Sequence, residues 1–148
     1  DLKKTIELTT GQNLDWFFKQ WLYEPGYPNY DVSWNYNQRK KELSIHVKQT
    51  QDLKTTSLFK MPIKIIVDSG EKKEHVIWVD NLDSVYKIKS DKRPKMVIFN
   101  SGQRVPSNLK TQKSVADLKY QLQNASNAVD RICPQKIWVT RPWPRLWP

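Results

Sequence analysis

The chain has 148 residues, of which 38% are apolar and 11% aromatic, enough for one packed domain with flanking elements. No apolar run approaches the roughly 20 residues that span a bilayer, and no basic-then-apolar leader is read after Asp1. A single cysteine, Cys133, excludes an internal disulfide and a cysteine-ligated zinc cluster, and the net charge of +10 is scattered among strands and turns rather than gathered into a nucleic-acid motif.

Residues 1–24 read as a helix with its lead-in, with Thr10 or Asn13 supplying the N-cap oxygen. Leu14, Phe17, Phe18 and Trp21 recur at i, i+3, i+4 and i+7 and so share one face. A helix this short cannot bury so large an aromatic face by itself, and it must dock on another surface. Pro25 and Gly26 stop it, because proline cannot continue the hydrogen-bond ladder and glycine accepts a positive φ. Pro28 then biases Tyr27 toward extended backbone. The segment accounts for itself as a structural hinge; a role for Tyr23 or Glu24 in an active site is the functional alternative.

From Asn29 to Asn100 the apolar period falls to two. Val32, Trp34 and Tyr36 point one way, as do Leu43, Ile45 and Val47 in the next segment. Phe59, Met61, Ile63, Ile65 and Val67 form the longest alternating set, and Asp68–Glu71 marks a turn. Val76, Trp78 and Asp80 then alternate with His75, Ile77 and Val79, and shorter strands follow near 85–89 and 95–99. Six or seven strands at this spacing predict an antiparallel β-sandwich, and connections too short for crossover helices argue against parallel pairing. The interleaved lysines, with Arg39-Lys40-Lys41, Lys72-Lys73 and Lys92-Arg93 beside turns, read as solvated outer faces. His46 shares the polar face of Ser44 and Lys48, and His75 follows a charged turn, so both read as surface histidines rather than metal ligands. Trp34, Tyr36 and Trp78 can form a carbohydrate- or peptide-binding platform, but their alternation fits core packing better.

A capping box from Ser114 to Asp117 opens a helix running to Arg131. Val115, Leu118, Leu122, Ala125, Val129 and Ile132 make a seam that wants a partner helix; without one, the stripe is exposed or folds back on the sandwich. Cys133 beside the helix end reads as a small hydrophobe. Residues 134–148 carry three of the seven tryptophans among four prolines, a composition that forbids a helix.

These segments resemble the zinc aminopeptidases of the aminopeptidase N and puromycin-sensitive aminopeptidase family. The likeness rests on Trp16–Leu22 with Pro25-Gly26-Tyr27-Pro28, and continues through Tyr30–Tyr36, Leu43–Gln51, Phe59–Ile63, Lys95–Asn100 and Ser114–Arg131. In order, they cover about residues 5–132. In that family they follow the catalytic domain. The family binds zinc through a His-Glu-x-x-His helix and a distant Glu, because two histidines at i and i+4 face one metal. This chain has only His46 and His75, neither in such a motif. The family's catalytic tyrosine and its Gly-x-Met-x-Asn substrate loop also lie upstream.

The resemblance thus implies a non-catalytic fragment C-terminal to the catalytic domain. Residues 1–24 would end that domain, 25–110 form the sandwich, and 111–133 open a helical solenoid closing the active-site cavity. Residues 134–148 depart from the family and are read as a frameshifted segment, a vector-derived scar or a membrane-interface peptide. Trp16, Trp21, Pro25, Gly26, Pro28 and Trp34 are the expected packing residues of the junction. The parent would cleave N-terminal residues from peptides with a zinc-bound water activated by Glu. Zinc is therefore a cofactor of the parent, and none is expected in this chain. The partners would be the missing catalytic and helical domains and, for the parent, a peptide; neither nucleic acid nor a membrane span is expected. The alternative is a non-enzymatic aminopeptidase-like scaffold or interaction module, since fold alone does not fix chemistry.

Overall fold

The computed structural model describes residues 2–132. The anomalous tail at 134–148 and Cys133 lie outside them.

The N-terminal segment is two helices rather than one. Helix α1 spans Leu2–Thr10 and α2 spans Asp15–Phe18, continuing as a π-helical turn over Lys19–Tyr23. Gly11, at φ +66°, ends α1 with its amide on the Glu7 carbonyl (2.8 Å), a backbone state glycine takes without strain. Leu14, not Asn13, takes the N-cap position of α2 and makes no side-chain cap; Asn13 Oδ1 accepts the Asp15 amide at 3.0 Å in the turn just before it. Thr10 does not cap α2; its hydroxyl bonds back to the Ile6 carbonyl instead.

Seven strands follow: β1 Asn29–Asn37, β2 Glu42–Gln49, β3 Met61–Asp68, β4 Lys72–Val79, β5 Asp83–Lys89, β6 Met96–Phe99 and β7 Asn108–Thr111. They form two sheets, ordered β5-β2-β1-β7 and β4-β3-β6. The mainly β sandwich with helices at both ends is as the alternation predicts. Tyr30, Val32, Leu43, Ile45 and Val47 of one sheet meet Ile63, Ile65, Val67 and Val79 of the other in a single core, with Trp34 and Tyr36 packed against it. Burying such side chains contributes about 1.5–3 kcal/mol each.

Two expectations are corrected. The pairing is not wholly antiparallel: β7, which the alternation misses, runs parallel to β1 with Tyr30 opposite Leu109 and Val32 opposite Thr111. No crossover helix is needed, because the chain passes through β6 in the opposite sheet and a 3-10 turn at Ser101–Gln103 before returning. Trp78 is not in the core. It lies on the outer side of β4, opposite in parity to the buried Val79, while Trp34 and Tyr36 face inward from the other sheet. The three aromatics therefore form no common platform.

The C-terminal helix is also broken. Helix α3 spans Val115–Asn124 and begins with the expected box, Asp117 N–H on Ser114 Oγ (3.1 Å) and Ser114 N–H on Asp117 Oδ2 (3.0 Å). Ala125 is extended (φ −64°, ψ 134°), and α4 spans Ala128–Ile132, with Asn127 Oδ1 accepting the Val129 amide at 2.9 Å. Asparagine and serine side chains bond local backbone in non-helical geometry, which explains a break at Asn124–Asn127. The predicted seam is split: Ala125 is buried against Met96 and Ile98, whereas Val115, Leu122, Val129 and Ile132 are exposed.

Candidate functional site at the helix–sandwich junctions

The link between β2 and β3 carries no regular structure at its end, yet Phe59 is almost fully buried. Its backbone needs partners, and side-chain amides supply them, since a primary amide offers the same donor and acceptor as a peptide group. Gln49 Nε2 donates to the Phe59 carbonyl (2.8 Å) and to the Asn81 carbonyl (3.2 Å), while its Oε1 accepts the Phe59 amide (3.0 Å). Gln51 Nε2 donates to Gln49 Oε1 (2.9 Å) and to the Ser57 carbonyl (3.1 Å). Gln20 repeats the device from the helix: its Nε2 donates to the Lys60 carbonyl (3.0 Å) and its Oε1 accepts the Lys60 amide (2.9 Å). Phe59 and Lys60 are thus held by glutamines where an alternating strand was expected.

Around this clamp the aromatic face of α2 settles. Trp21 packs on Phe59 (centroids 5.0 Å apart) and points its indole N–H at Met61 Sδ (3.2 Å). Trp16 meets Trp78 edge-on at 5.8 Å, and Lys60 Nζ lies 5.5 Å from the same Trp78 ring. Phe18 is buried. Glu24 is already extended (φ −104°, ψ 145°) as the chain enters Pro25. Gly26 has φ +97°, and a Cβ there would lie 2.5 Å from Thr56 Oγ1, so this turn accepts only glycine without movement of the link. Pro28 is fully buried, and its carbonyl accepts the Asn108 amide at 3.0 Å, starting the parallel pair.

Five of the six expected junction residues, Trp16, Trp21, Pro25, Gly26 and Pro28, therefore lie along one stretch of chain at the N-terminal junction. Trp34 does not join them. It lies at the other junction, in a crevice with Lys95, Met96, Lys113 and Gln121, with the Arg93 guanidinium 5.8 Å from its ring.

That second junction is polar. Lys113 Nζ donates to Gln121 Oε1, and Gln121 Nε2 donates to the Asp130 carbonyl (2.7 Å). The Asp130 carboxylate, itself buried, accepts from Ser101 Oγ (2.6 Å) and the Gly102 amide (2.8 Å), which fastens α4 to the 3-10 turn. Burial lowers the Lys113 pKa from 10.5 to about 8, against the opposing pull of Asp117 and Asp130. Tyr120 donates to Asp68 Oδ2 (3.2 Å), and its pKa is raised, first by desolvation and then by that bond.

Sequence reading missed the glutamines, although a signal was present. Gln49 and Gln51 continue the inward parity of Leu43, Ile45 and Val47, and a polar residue on a core-facing position must find buried partners. Gln20, one residue before Trp21, had no such flag.

At the second junction the Ser101 hydroxyl is committed to the Asp130 carboxylate (2.6 Å) in a buried fastening of α4 to the 3-10 turn. His46 is exposed on β2 and pairs with Asp83 across the strands, while His75 lies on β4 in the other sheet. Among the described residues no three His, Cys, Asp or Glu side chains gather as metal ligands do.

No family model and no curated protein matches the chain. Among solved structures it is similar to Legionella pneumophila aminopeptidase A, determined in complex with aspartic acid. The TM-score is 0.72 at 22% identity, over 87% of this chain and 15% of that one. The likeness is one of fold alone, and the chain spans 15% of the length of the enzyme it matches.

Proposed function

We propose that this chain is the non-catalytic, C-terminal part of a zinc-dependent metallo-aminopeptidase of the aminopeptidase N and puromycin-sensitive type. In this reading it spaces the catalytic domain from a cavity-closing helical domain. The observation that carries the reading is the fold likeness, which takes in nearly all of this chain but a small share of an aminopeptidase. Supporting it, the helices at both ends keep apolar side chains in water: Leu2, Leu8, Leu22 and Tyr23 at one end, Val115, Leu122 and Ile132 at the other. Exposed apolar groups grouped on helices mark surfaces for further protein. The zinc and its ligands belong to other parts of the parent, and the peptide substrate is the parent's.

The junction residues act by packing. Trp16 and Trp21 lock the last helix of the preceding domain to β3 and β4, and Gly26 and Pro28 turn the chain into β1. The test has two parts. The purified chain, supplied with zinc, should leave an aminoacyl-anilide intact; zinc-dependent cleavage would refute the assignment. The coding sequence upstream should encode His-Glu-x-x-His with a distal Glu, and a degraded motif there would assign the parent to a non-enzymatic scaffold.

A further inference from the structure

We infer that the loop end of the sandwich is a binding site for a multiply charged phosphate group. This goes beyond the peptidase reading and does not depend on it.

Three basic clusters that are far apart in sequence converge there. The β1–β2 turn brings Lys40 and Lys41, the β3–β4 hairpin brings Lys73 with His75, and the β5–β6 link brings Lys89 and Lys92. They line a cavity of about 540 Å³, within the size range of small-molecule sites, and Val67 and Ile88 supply its apolar part. The loops are laced together rather than loose. The Ser90 amide donates to the Lys41 carbonyl (2.9 Å), Ser69 and Ser90 share a hydroxyl bond of 2.7 Å, and the Tyr36 hydroxyl donates to the Ser90 carbonyl (2.9 Å). The Lys95 amide donates to the Asp68 carbonyl at 2.7 Å, tying the third loop to the second.

Two carboxylates line the same cavity, and each is engaged: Asp91 with Lys41 (3.2 Å) and Glu71 with Lys73 (3.5 Å). Lys40, Lys89 and Lys92 have no carboxylate partner among the described residues, so an excess of about three positive charges faces one concavity. Like charges held together by rigid loops repel, and a counter-anion relieves that repulsion. The charges are ammonium groups, which act as point charges around a ligand rather than as a flat fork for one carboxylate. His75 adds a ring nitrogen beside them, while the Ser90 hydroxyl donates to the Lys92 carbonyl (2.7 Å) and the Ser69 hydroxyl to Ser90 Oγ, which fixes the loops that carry the lysines. That set matches the several oxygens of a phosphate chain better than a single carboxylate.

The experiment is a titration of the chain with inorganic tripolyphosphate, followed by backbone amide NMR and calorimetry. Shifts should concentrate on Ser69, Gly70 and Ser90, and affinity should fall with added salt. Lys40→Gln, Lys89→Gln and Lys92→Gln together should weaken binding about tenfold or more, because three charge-assisted contacts are lost. Asp91→Asn, which releases Lys41 from its partner, should tighten it. A control removing the same charge elsewhere, Lys48→Gln, Lys54→Gln and Lys119→Gln, should leave affinity within about twofold. Equal loss in the control, or shifts scattered over the surface, would overturn the proposal by showing that only net charge is read. Displacement of the tripolyphosphate by a nucleoside triphosphate supports a free phosphate ligand, and displacement by a phosphoserine peptide supports a phosphorylated chain. Binding of neither probe nor tripolyphosphate overturns the site.

Discussion

Raising the pH should strengthen the C-terminal junction, and Lys113 is the reason. In the unfolded chain its amine keeps an ordinary pKa of 10.5, whereas burial beside Trp34 and Gln121 brings it to about 8 in the fold. Between those values the unfolded chain holds a proton that the folded one has released, so protons favour unfolding and their removal favours folding. The full difference of about 2.5 units corresponds to about 3 kcal/mol, and linkage gives about 2 kcal/mol of that between pH 7 and 9.5. The assay is urea unfolding at both pH values for the wild type and for Lys113→Met, which cannot titrate. Tyr30, Tyr86 and Tyr120 have raised pKa values in the fold, but they are common to both chains and cancel. The wild type should gain about 2 kcal/mol more than the variant over this range. Equal gains, or a smaller gain for the wild type, would show that the amine is solvated in the fold and that the crevice does not exclude water.

Three further substitutions probe the other load paths. Gly26→Ala should destabilise by about 2 kcal/mol from its φ and its clash with Thr56, and adding Thr56→Ala should restore part of the loss in thermal unfolding. Gln49→Leu should lower stability by about 3 kcal/mol in urea, because the Phe59 amide and carbonyl lose their buried partners; an unchanged midpoint would show that the link finds others. Tyr30→Phe should be neutral or stabilising by about 1 kcal/mol, since the Tyr30 hydroxyl is buried with no hydrogen-bond partner among the described residues; calorimetric loss of more than that would reveal one.

How much was legible without coordinates follows from which forces are local. Alternation along Leu43, Ile45 and Val47 and along Ile63, Ile65 and Val67 names the inner faces correctly, because successive strand side chains point to opposite sides. The capping box at Ser114 and the stop at Pro25-Gly26 are equally local, and both stand where the residues place them. The misses share a different cause. β7 has four residues, too few for a period to show, and it exists because Asn29–Val32 offers an unpaired edge. Trp78 reads as core from its neighbours, yet it is claimed from outside by Trp16, a residue 62 positions away. Ala125 breaks the helix where the outer face of β6 comes up beneath it.

The same division holds for the candidate sites. Residue order alone sets a helix stop and a turn between Trp16 and Pro28, since helix periodicity, proline and glycine act within a few residues. No local rule says that Gln20 and Gln49 will serve as backbone partners for a distant link, or that lysines from three turns will face one cavity. Those outcomes depend on which loops the two sheets bring to the same end, and burial and charge repulsion act between groups that only packing makes neighbours.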